Sequence, residues 1–523
     1  MPTTKVEQGF IFPTSKPKNR KDRYIQRSIE MLPGIVSWLF LIGGVYVSYR
    51  SPVIIAVFII IFDLYWMVKV FYITVFAIFG YRRMKIWESM DWLAKCKELS
   101  GAADGTQAGQ EVKFDNVYQL IILPTYKEGL EVLRTTLDCI VNSNYPKEKM
   151  ILVVAFEERA GEEALSRAKI LEELYADKFF AYLTTVHPDG MEGEAKVKGA
   201  NASWAGEEAR LFLDEKGIGY ENVIVSTFDS DTCVHPQYFA CLAYQFMKNP
   251  KRHQLSYQPL PLYNNNIWQA NSIVRVIMVS SSFWQIMQSV RYDEMVTFSS
   301  HSMSFKTLVA VNYWPRDMIS DDSIIYWKCF LYYHGNYHVQ PIYLSVSLDA
   351  VMAENFLSTI ANQYKQQRRW AWGIENIPII YRSFIADKKI PLAKKITRGW
   401  EEFIGRISWG LTPIIISFFG WLPIILGGNN FNQTVLALNL PKVLGYLMTF
   451  ATVGLIVSMF LSIFLLPKAP YGTSKLKKFA MIIQWILAPI VAVPLGALPM
   501  LDAQTRMLFG KYMEFWVTKK VRK

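Results

Sequence analysis

The chain has 523 residues, of which 51% are hydrophobic, 15% aromatic and only 19% charged, with a net charge of +12. So low a charge fraction argues against a wholly soluble protein, and basic clusters that border apolar runs, instead of forming one basic face, argue against a nucleic-acid partner. The five cysteines, Cys96, Cys139, Cys233, Cys241 and Cys329, form no C-x-x-C pair, so neither a zinc site nor a disulfide framework is expected.

Residues 1–32 are polar and basic, and read as a cytosolic tail able to touch anionic lipid. Residues 33–80 hold two apolar runs, 33–49 and 53–79, separated by Arg50-Ser51-Pro52. Their lengths suit two transmembrane helices, and Tyr81-Arg82-Arg83-Met84-Lys85 then marks a cytosolic exit. Asp63 and Lys69 are costly in lipid, so they are expected to face other helices or a polar path. Residues 81–115 read as an interfacial helix followed by a Gly/Ala/Gln-rich linker over 101–111.

Residues 116–350 alternate strand and helix patterns, which predicts an α/β domain. The strands are expected at Tyr118–Leu123, Met150–Phe156, Ala181–Val186 and Val223–Thr227, and the helices at Glu131–Asn142, Gly161–Tyr175 and Ala195–Glu215. Ligands of such domains sit beyond the carboxyl ends of the strands. Pro124-Thr125-Tyr126-Lys127-Glu128 follows the first strand and Glu157-Glu158-Arg159 the second. His187-Pro188-Asp189-Gly190 and then the basic stretch Lys196–Asn201 follow the third. Asp229-Ser230-Asp231 follows the fourth, after the apolar VIVSTF. A lone D-x-D is more often a turn, but two carboxylates so spaced after a buried strand can grip one hard divalent cation on a diphosphate.

Gln258–Asn266 reads as a loop, and the hydroxyl-rich TFSSHSMSF over 297–305 either lines a sugar site or forms a turn. Ser320-Asp321-Asp322 opens a predicted helix. Its residues either cap that helix or supply a general base, since packed like charges raise one pKa. His334 and His338 are spaced i, i+4, without a third metal ligand in view. Residues 351–403 combine Gln366-Gln367-Arg368-Arg369-Trp370 with the basic apron Lys388, Lys389, Lys394, Lys395 and Arg398, and read as interface helices. Guanidinium groups bind phosphate in bidentate fashion and indoles stack on rings, whereas the plainer reading is a basic helix on lipid headgroups. Residues 404–501 hold apolar runs at about 404–426, 441–466 and 479–501, and 502–523 form a basic tail. Three spans here would put that tail outside, against its charge, but Pro489, Pro494 and Pro499 suggest a broken last run and a cytosolic tail.

Taken together, these residues resemble the membrane-embedded processive family 2 glycosyltransferases, the cellulose, hyaluronan and chitin synthases and their bacterial relatives, over roughly residues 116–523. Pro124–Glu128 is similar to the family's P-x-Y-N-E, Lys198-Gly199-Ala200-Asn201 to its lysine segment, and Asp229-Ser230-Asp231 to its D-x-D. Ser320-Asp321-Asp322 stands for T-E-D, Gln366, Arg369 and Trp370 match Q-x-x-R-W, and Phe515-Trp516-Val517-Thr518-Lys519 is similar to a gating segment. Three departures stand out: Glu157-Glu158 replaces an aspartate, S-D-D replaces T-E-D, and the acceptor motif is absent, with FSSHSMSF near its place.

The resemblance implies an α/β, GT-A-like cytosolic domain inserted between transmembrane helices of the plasma (inner) membrane, with amphipathic interface helices. It implies a nucleotide-sugar donor, UDP-linked, held by Thr125, Tyr126, Glu128, Glu157, Glu158, Lys198 and Asp229, with Mg²⁺ or Mn²⁺ on Asp229 and Asp231. Asp322, with Asp321 beside it, is the implied catalytic base, and Gln366, Arg369 and Trp370 join diphosphate to acceptor. The acceptor is a glycan, exported as it grows, or a membrane lipid that receives a single sugar. A transporter with a soluble regulatory domain is the competing reading, carried by Asp63 and Lys69.

Overall fold

The computed structural model describes residues 10, 12–102 and 112–514. Most of the linker over 101–111 and the gating-like Phe515–Lys519 lie outside these residues. The chain builds one eight-stranded mixed sheet between two groups of long apolar helices.

The sheet consists of β1 (Tyr118–Pro124), β2 (Met150–Glu157), β3 (Ala181–His187), β4 (Val223–Thr227), β5 (Cys233–Val234), β6 (Leu255–Leu262), β7 (Ser302–Ser304) and β8 (His338–Ser347). Their order is β3-β2-β1-β4-β7-β6-β8-β5. The first four strands are parallel, β7 runs antiparallel to β4 and β6, and β8 returns parallel to β6. The runs YQLIILP and MILVVAFE are apolar at nearly every position because both faces are covered. Ile121, Leu123, Leu152 and Val154 enter one core, while Leu120, Ile122, Ile151 and Val153 enter the other. The strand order reverses between β1 and β4, which brings the Thr125 and Asp229 ends together at one switch point.

Four elements differ from the expectations above. The first helix, Arg20–Arg50, begins inside the stretch read as a tail, with Asn19 capping the Lys21 N–H. Its polar first turns find tertiary partners: Gln26 donates to Glu30 (2.9 Å) and accepts from Arg382 (2.9 Å). The second helix runs unbroken through Pro52–Glu88, so the expected interfacial helix is confined to Trp92–Ala102. Gln258–Leu262 is strand, not loop: β7 pairs with β6 only at Ser256 and Tyr257. Beyond that point the sheet is one-sided, with a bulge at Pro259/Leu260, so Pro259 and Pro261 lose no second ladder bond. The run at 404–426 is not one span, because the helix Leu392–Ile414 carries Pro413, passes into a π-turn at Ile415–Phe419 and breaks before Leu422–Leu426.

Among the described residues, four helices are long and apolar enough to cross a membrane: Arg20–Arg50, Pro52–Glu88, Val435–Leu465 and Lys475–Leu508. Pro52–Glu88 packs on Val435–Leu465, and Arg20–Arg50 on Leu498–Leu508. Two precede the sheet and two follow it, an even number.

Candidate active site

Three groups of side chains meet at the carboxyl edge of the sheet. The first lies at the ends of β1 and β2. The Thr125 N–H donates to the Ala155 carbonyl (2.7 Å), extending the ladder by one residue, and the buried Asn201 carboxamide ties the same carbonyl (2.9 Å) to the helix Lys198–Glu215. Glu128 accepts from the Tyr126 N–H (2.7 Å), which folds the loop back on itself. The Arg159 guanidinium lies 4.6 Å from the centre of the Tyr126 ring, and Glu157 pairs with Arg159. Glu157 is buried and lines a small open cleft together with Arg159, His187, Asp189 and Lys196. Glu158 instead accepts from the Asp189 N–H (3.0 Å) and braces the loop after β3. Of the two glutamates, Glu157 is the one that lines the cleft. Glu194, unremarked in the sequence, closes the cleft wall by pairing with His187 (2.7 Å) and Arg316 (2.7 Å).

The second group centres on Lys198. Its ammonium lies 2.8 Å from Asp229 Oδ1, 3.0 Å from Asp322 Oδ1 and 3.8 Å from Asp321 Oδ2. Gly199 permits this approach: a Cβ there would lie 2.6 Å from the Pro315 carbonyl and 3.1 Å from the Asp321 Cβ. Burial opposes the lysine's charge, but the carboxylates outweigh it and hold its pKa well above the ordinary value. Burial, and then the charge of Asp322, push Asp321 up to about 8. This favours the protonated form of Asp321, and the closest contacts of the ammonium are Asp229 and Asp322. The two acids differ in access too: the Asp321 side chain is 5% exposed and that of Asp322 25%.

The Asp321 shift has a measurable consequence. The folded state keeps a proton that the unfolded chain releases near 3.8, so this contribution to stability is present below that value and is lost as pH rises through about 8. Asp321→Asn is expected to melt above wild type near pH ~8 and to lose the advantage near pH ~5, by scanning fluorimetry in detergent. An equal shift at both values would contradict the buried-proton account.

Ser320 does not cap the helix Asp321–Tyr332 through its side chain. Its hydroxyl donates to Asn376 Oδ1 (2.6 Å), and its N–H donates to Glu375 (2.7 Å). Glu375 is itself pushed up to about 7 by burial. Both partners lie just past Trp370, so the acidic turn is seated by the segment that carries the arginines. This role was not legible in the sequence.

The third group is that segment, the helix Phe356–Ala371, opened by an Asn355–Ser358 capping box. Its arginines part ways. Arg368 pairs with Asp502 (2.7 Å) in the last helix, where Asp502 also holds Arg506 (2.7 Å). Arg369 acts instead on the acidic cluster, since its charge bears on Asp321 and Tyr263. Gln366 is buried and accepts from Gln363 (3.3 Å), and Trp370 packs against Tyr263 (5.7 Å) and Phe298 (5.9 Å).

Among the described residues, no group of three or more His, Cys, Asp and Glu side chains could hold a metal unaided. His334 pairs with Asp387 (2.8 Å). The donor set still fits a hard divalent cation. Asp229 and Asp231 offer carboxylate oxygens at the end of β4, an ammonium already lies against Asp229, and Mg²⁺ commonly takes one or two carboxylates with phosphate and water completing its shell. Asp231 is held for this by the Asp349 N–H (2.7 Å) and by Asn265, which donates to the Asp231 carbonyl (2.9 Å) and to Asp349 (2.9 Å).

Residues 224–498, more than half of the chain, match the family model described as glycosyl transferase family group 2. The chain belongs to this family. The family 2 match begins within β4 and takes in the D-x-D, the S-D-D and the Gln366–Trp370 motif. No curated protein sequence matches the chain. Among solved structures, the mannosyltransferase PcManGT from Pyrobaculum calidifontis, in complex with GDP-mannose and Mn²⁺, is 13% identical, with 84% of this chain and 100% of that chain covered and a TM-score of 0.42. S. aureus TarS 1–349 is 13% identical, with 76% and 94% covered and a TM-score of 0.35. Its complex with UDP-GlcNAc gives a TM-score of 0.34 at the same identity and coverage. As a family 2 glycosyltransferase with a GT-A-like α/β domain, the protein is an enzyme that uses a nucleotide-sugar donor, and its sheet domain is catalytic, not a transporter's regulatory module.

Proposed function

We propose that this enzyme transfers a sugar, with inversion, from a UDP-sugar to the growing end of a β-linked polysaccharide at the cytosolic face of the plasma membrane. The observation that carries the reading is the reach of one ammonium: Lys198 touches both Asp229, a diphosphate-side residue, and Asp322, the implied base. Donor and acceptor chemistry therefore meet within a single side chain's span.

Tyr126, with Arg159 over its ring, and Glu157 hold the nucleoside, while Thr125 and Glu128 shape that loop. Asp229 and Asp231 would hold Mg²⁺ or Mn²⁺, which when bound neutralises the diphosphate and makes it a better leaving group. Lys198 and Arg369 place positive charge where the leaving diphosphate gains negative charge. Asp322 removes the acceptor hydroxyl's proton as that oxygen bonds to the anomeric carbon. The bond from that carbon to the diphosphate oxygen breaks on the opposite face, and the nucleoside diphosphate leaves. Gln366 and Trp370 shape the acceptor side.

Exposed Leu392, Ile396 and Trp400 recur every four residues along the helix Leu392–Ile414, an apolar stripe suited to the membrane interface. With four candidate spans among the described residues, the basic turns around Arg20–Arg27 and Arg506–Lys511 fall on one side, the cytosolic one by the charge rule.

One observation favours a second acceptor. Trp370 packs into a cluster that continues through Tyr263 and Trp268 to Leu461 and Trp485 of the C-terminal helices. This apolar seam joins the site to the C-terminal helices, which suits a lipid acceptor that receives one sugar. The test is to offer membranes holding the protein UDP-glucose, UDP-N-acetylglucosamine and GDP-mannose with Mg²⁺ or Mn²⁺. A polymer ladder supports synthesis of a polysaccharide, a single glycolipid band supports the second reading, and failure to cleave any donor overturns both. Arg369→Ala is expected to lose turnover by roughly tenfold or more with its melting temperature kept, whereas Arg368→Ala should lower the melting temperature and spare turnover.

A further inference from the structure

Residues 12–19, just ahead of the first long helix, lie against the loop that leads into the acidic turn. One oxygen of Asp317, Oδ2, accepts from the Ser15 hydroxyl (2.7 Å), the Ser15 N–H (3.1 Å) and the Thr14 hydroxyl (3.1 Å). Arg382 donates to the Thr14 carbonyl (3.2 Å) and to Gln26 (2.9 Å), which pins this segment to the helices Asn376–Ala386 and Arg20–Arg50. Phe10 and Phe12 pack on the core that holds Tyr313, Trp314 and Met318, and Phe10 meets the Tyr332 ring edge-on (5.3 Å).

These contacts matter because the loop has little backbone pairing of its own. Among the described residues, 311–320 form neither helix nor strand. The loop opens on two left-handed residues, Asn312 (φ 58°) and Tyr313 (φ 54°), whose carbonyls accept from the buried Lys328 (2.9 and 2.8 Å). Its end is held by Ser320 on Glu375 and Asn376. Between these two anchors, Arg316 pairs with Glu194 (2.7 Å) and Asp317 takes the three bonds from residues 14 and 15. The Pro315 carbonyl would lie 2.6 Å from a Cβ on Gly199, so the loop also packs directly on the first turn of the helix Lys198–Glu215. A shift of the loop therefore moves Asp322 relative to Lys198, its partner at 3.0 Å.

We propose that Asp317 is a positioning residue for the base: Thr14 and Ser15 hold it, and through it the loop that ends in Asp322, in register with Lys198. It acts through the loop and not on the substrate. Asp317 lies inside the span of the family 2 match, residues 224–498, whereas the two residues that hold it lie outside. The chain ahead of the first long helix thus sets the geometry of a site built more than 300 residues later. The inference rests on Asp322 being the base.

The test uses the full-length protein in membranes and the first donor of the panel above that wild type cleaves, with nucleoside diphosphate release as the readout. Asp317→Ala is expected to lower kcat at least ~10-fold and to leave the donor KM within about twofold, because a small displacement of a catalytic group is costly to the chemical step. Asp317→Asn, whose amide oxygen can still accept from Ser15, should recover most of the rate. Thr14 is exposed and Ser15 half-buried, so Thr14→Val combined with Ser15→Ala spares the fold. That pair removes both hydroxyl donors and should lower kcat ~3–10-fold, with no further loss when it is added to Asp317→Ala. Wild-type kcat in Asp317→Ala or in the Thr14/Ser15 pair overturns the proposal. So does a loss that Asp317→Asn fails to rescue, a donor KM that rises as far as kcat falls, or losses that multiply when the variants are combined. Asp322→Asn is run in parallel. If it turns over normally, the base assignment has failed; if it is inactive while Asp317→Ala is normal, this inference alone has failed. If wild type cleaves no donor, both fall.

Discussion

Asp322→Asn is expected to lower transfer by ~10²–10⁴-fold while leaving nucleotide binding nearly intact. The amide keeps the shape of the carboxylate but cannot take a proton. The fold should tolerate the change, because the acidic turn is seated elsewhere, by the bonds from Ser320 to Glu375 and Asn376. Lys198 loses one ionic partner and keeps Asp229 at 2.8 Å. The measurement is single-turnover transfer beside equilibrium binding of UDP. Normal turnover in this variant would remove Asp322 from the mechanism, and a matching loss of UDP binding would recast it as a donor residue.

Asp231→Asn is expected to weaken Mn²⁺-dependent UDP binding at least ~10-fold and to leave metal-free binding unchanged. Asparagine is the informative substitution. Asp231 is fully buried and accepts the Asp349 N–H, so alanine would strand that N–H at a cost of about 1–3 kcal/mol and confound binding with stability. The asparagine oxygen can still accept that bond, while the negative charge that a cation needs is gone. Calorimetry with UDP, with and without Mn²⁺, separates the two terms. Equal losses in both conditions would show that Asp231 acts through the fold.

The strands were readable because their cause is local. A parallel strand covered on both faces must be apolar along its length, and Met150–Phe156 shows this without interruption. The polar residues after each strand were readable for the same reason, since apolar runs stop where the sheet meets solvent and ligand. Strand β6 was not readable, because Pro259 and Pro261 normally exclude a strand and only the one-sided pairing to β8 admits them. The first helix was hidden in a basic stretch whose buried Gln26 and Glu30 depend on Arg382 and Tyr512, far along the chain.

The residue types of the site, and its place on the chain, are properties of the sequence alone: carboxylates after buried strands, a lysine at a helix start, arginines ahead of the membrane. Which of the paired candidates does what is not such a property. Glu157 rather than Glu158 faces the cleft, Arg368 rather than Arg369 pairs with Asp502, and Asp322 rather than Asp321 is the more exposed acid. Each choice turns on burial and on a partner distant in sequence, respectively Arg159 with the cleft wall, Asp502 in the last helix, and Lys198 with the buried side of its helix. Adjacent residues share their local pattern, so only the packed fold, which sets the solvation and charge around each one, could divide them.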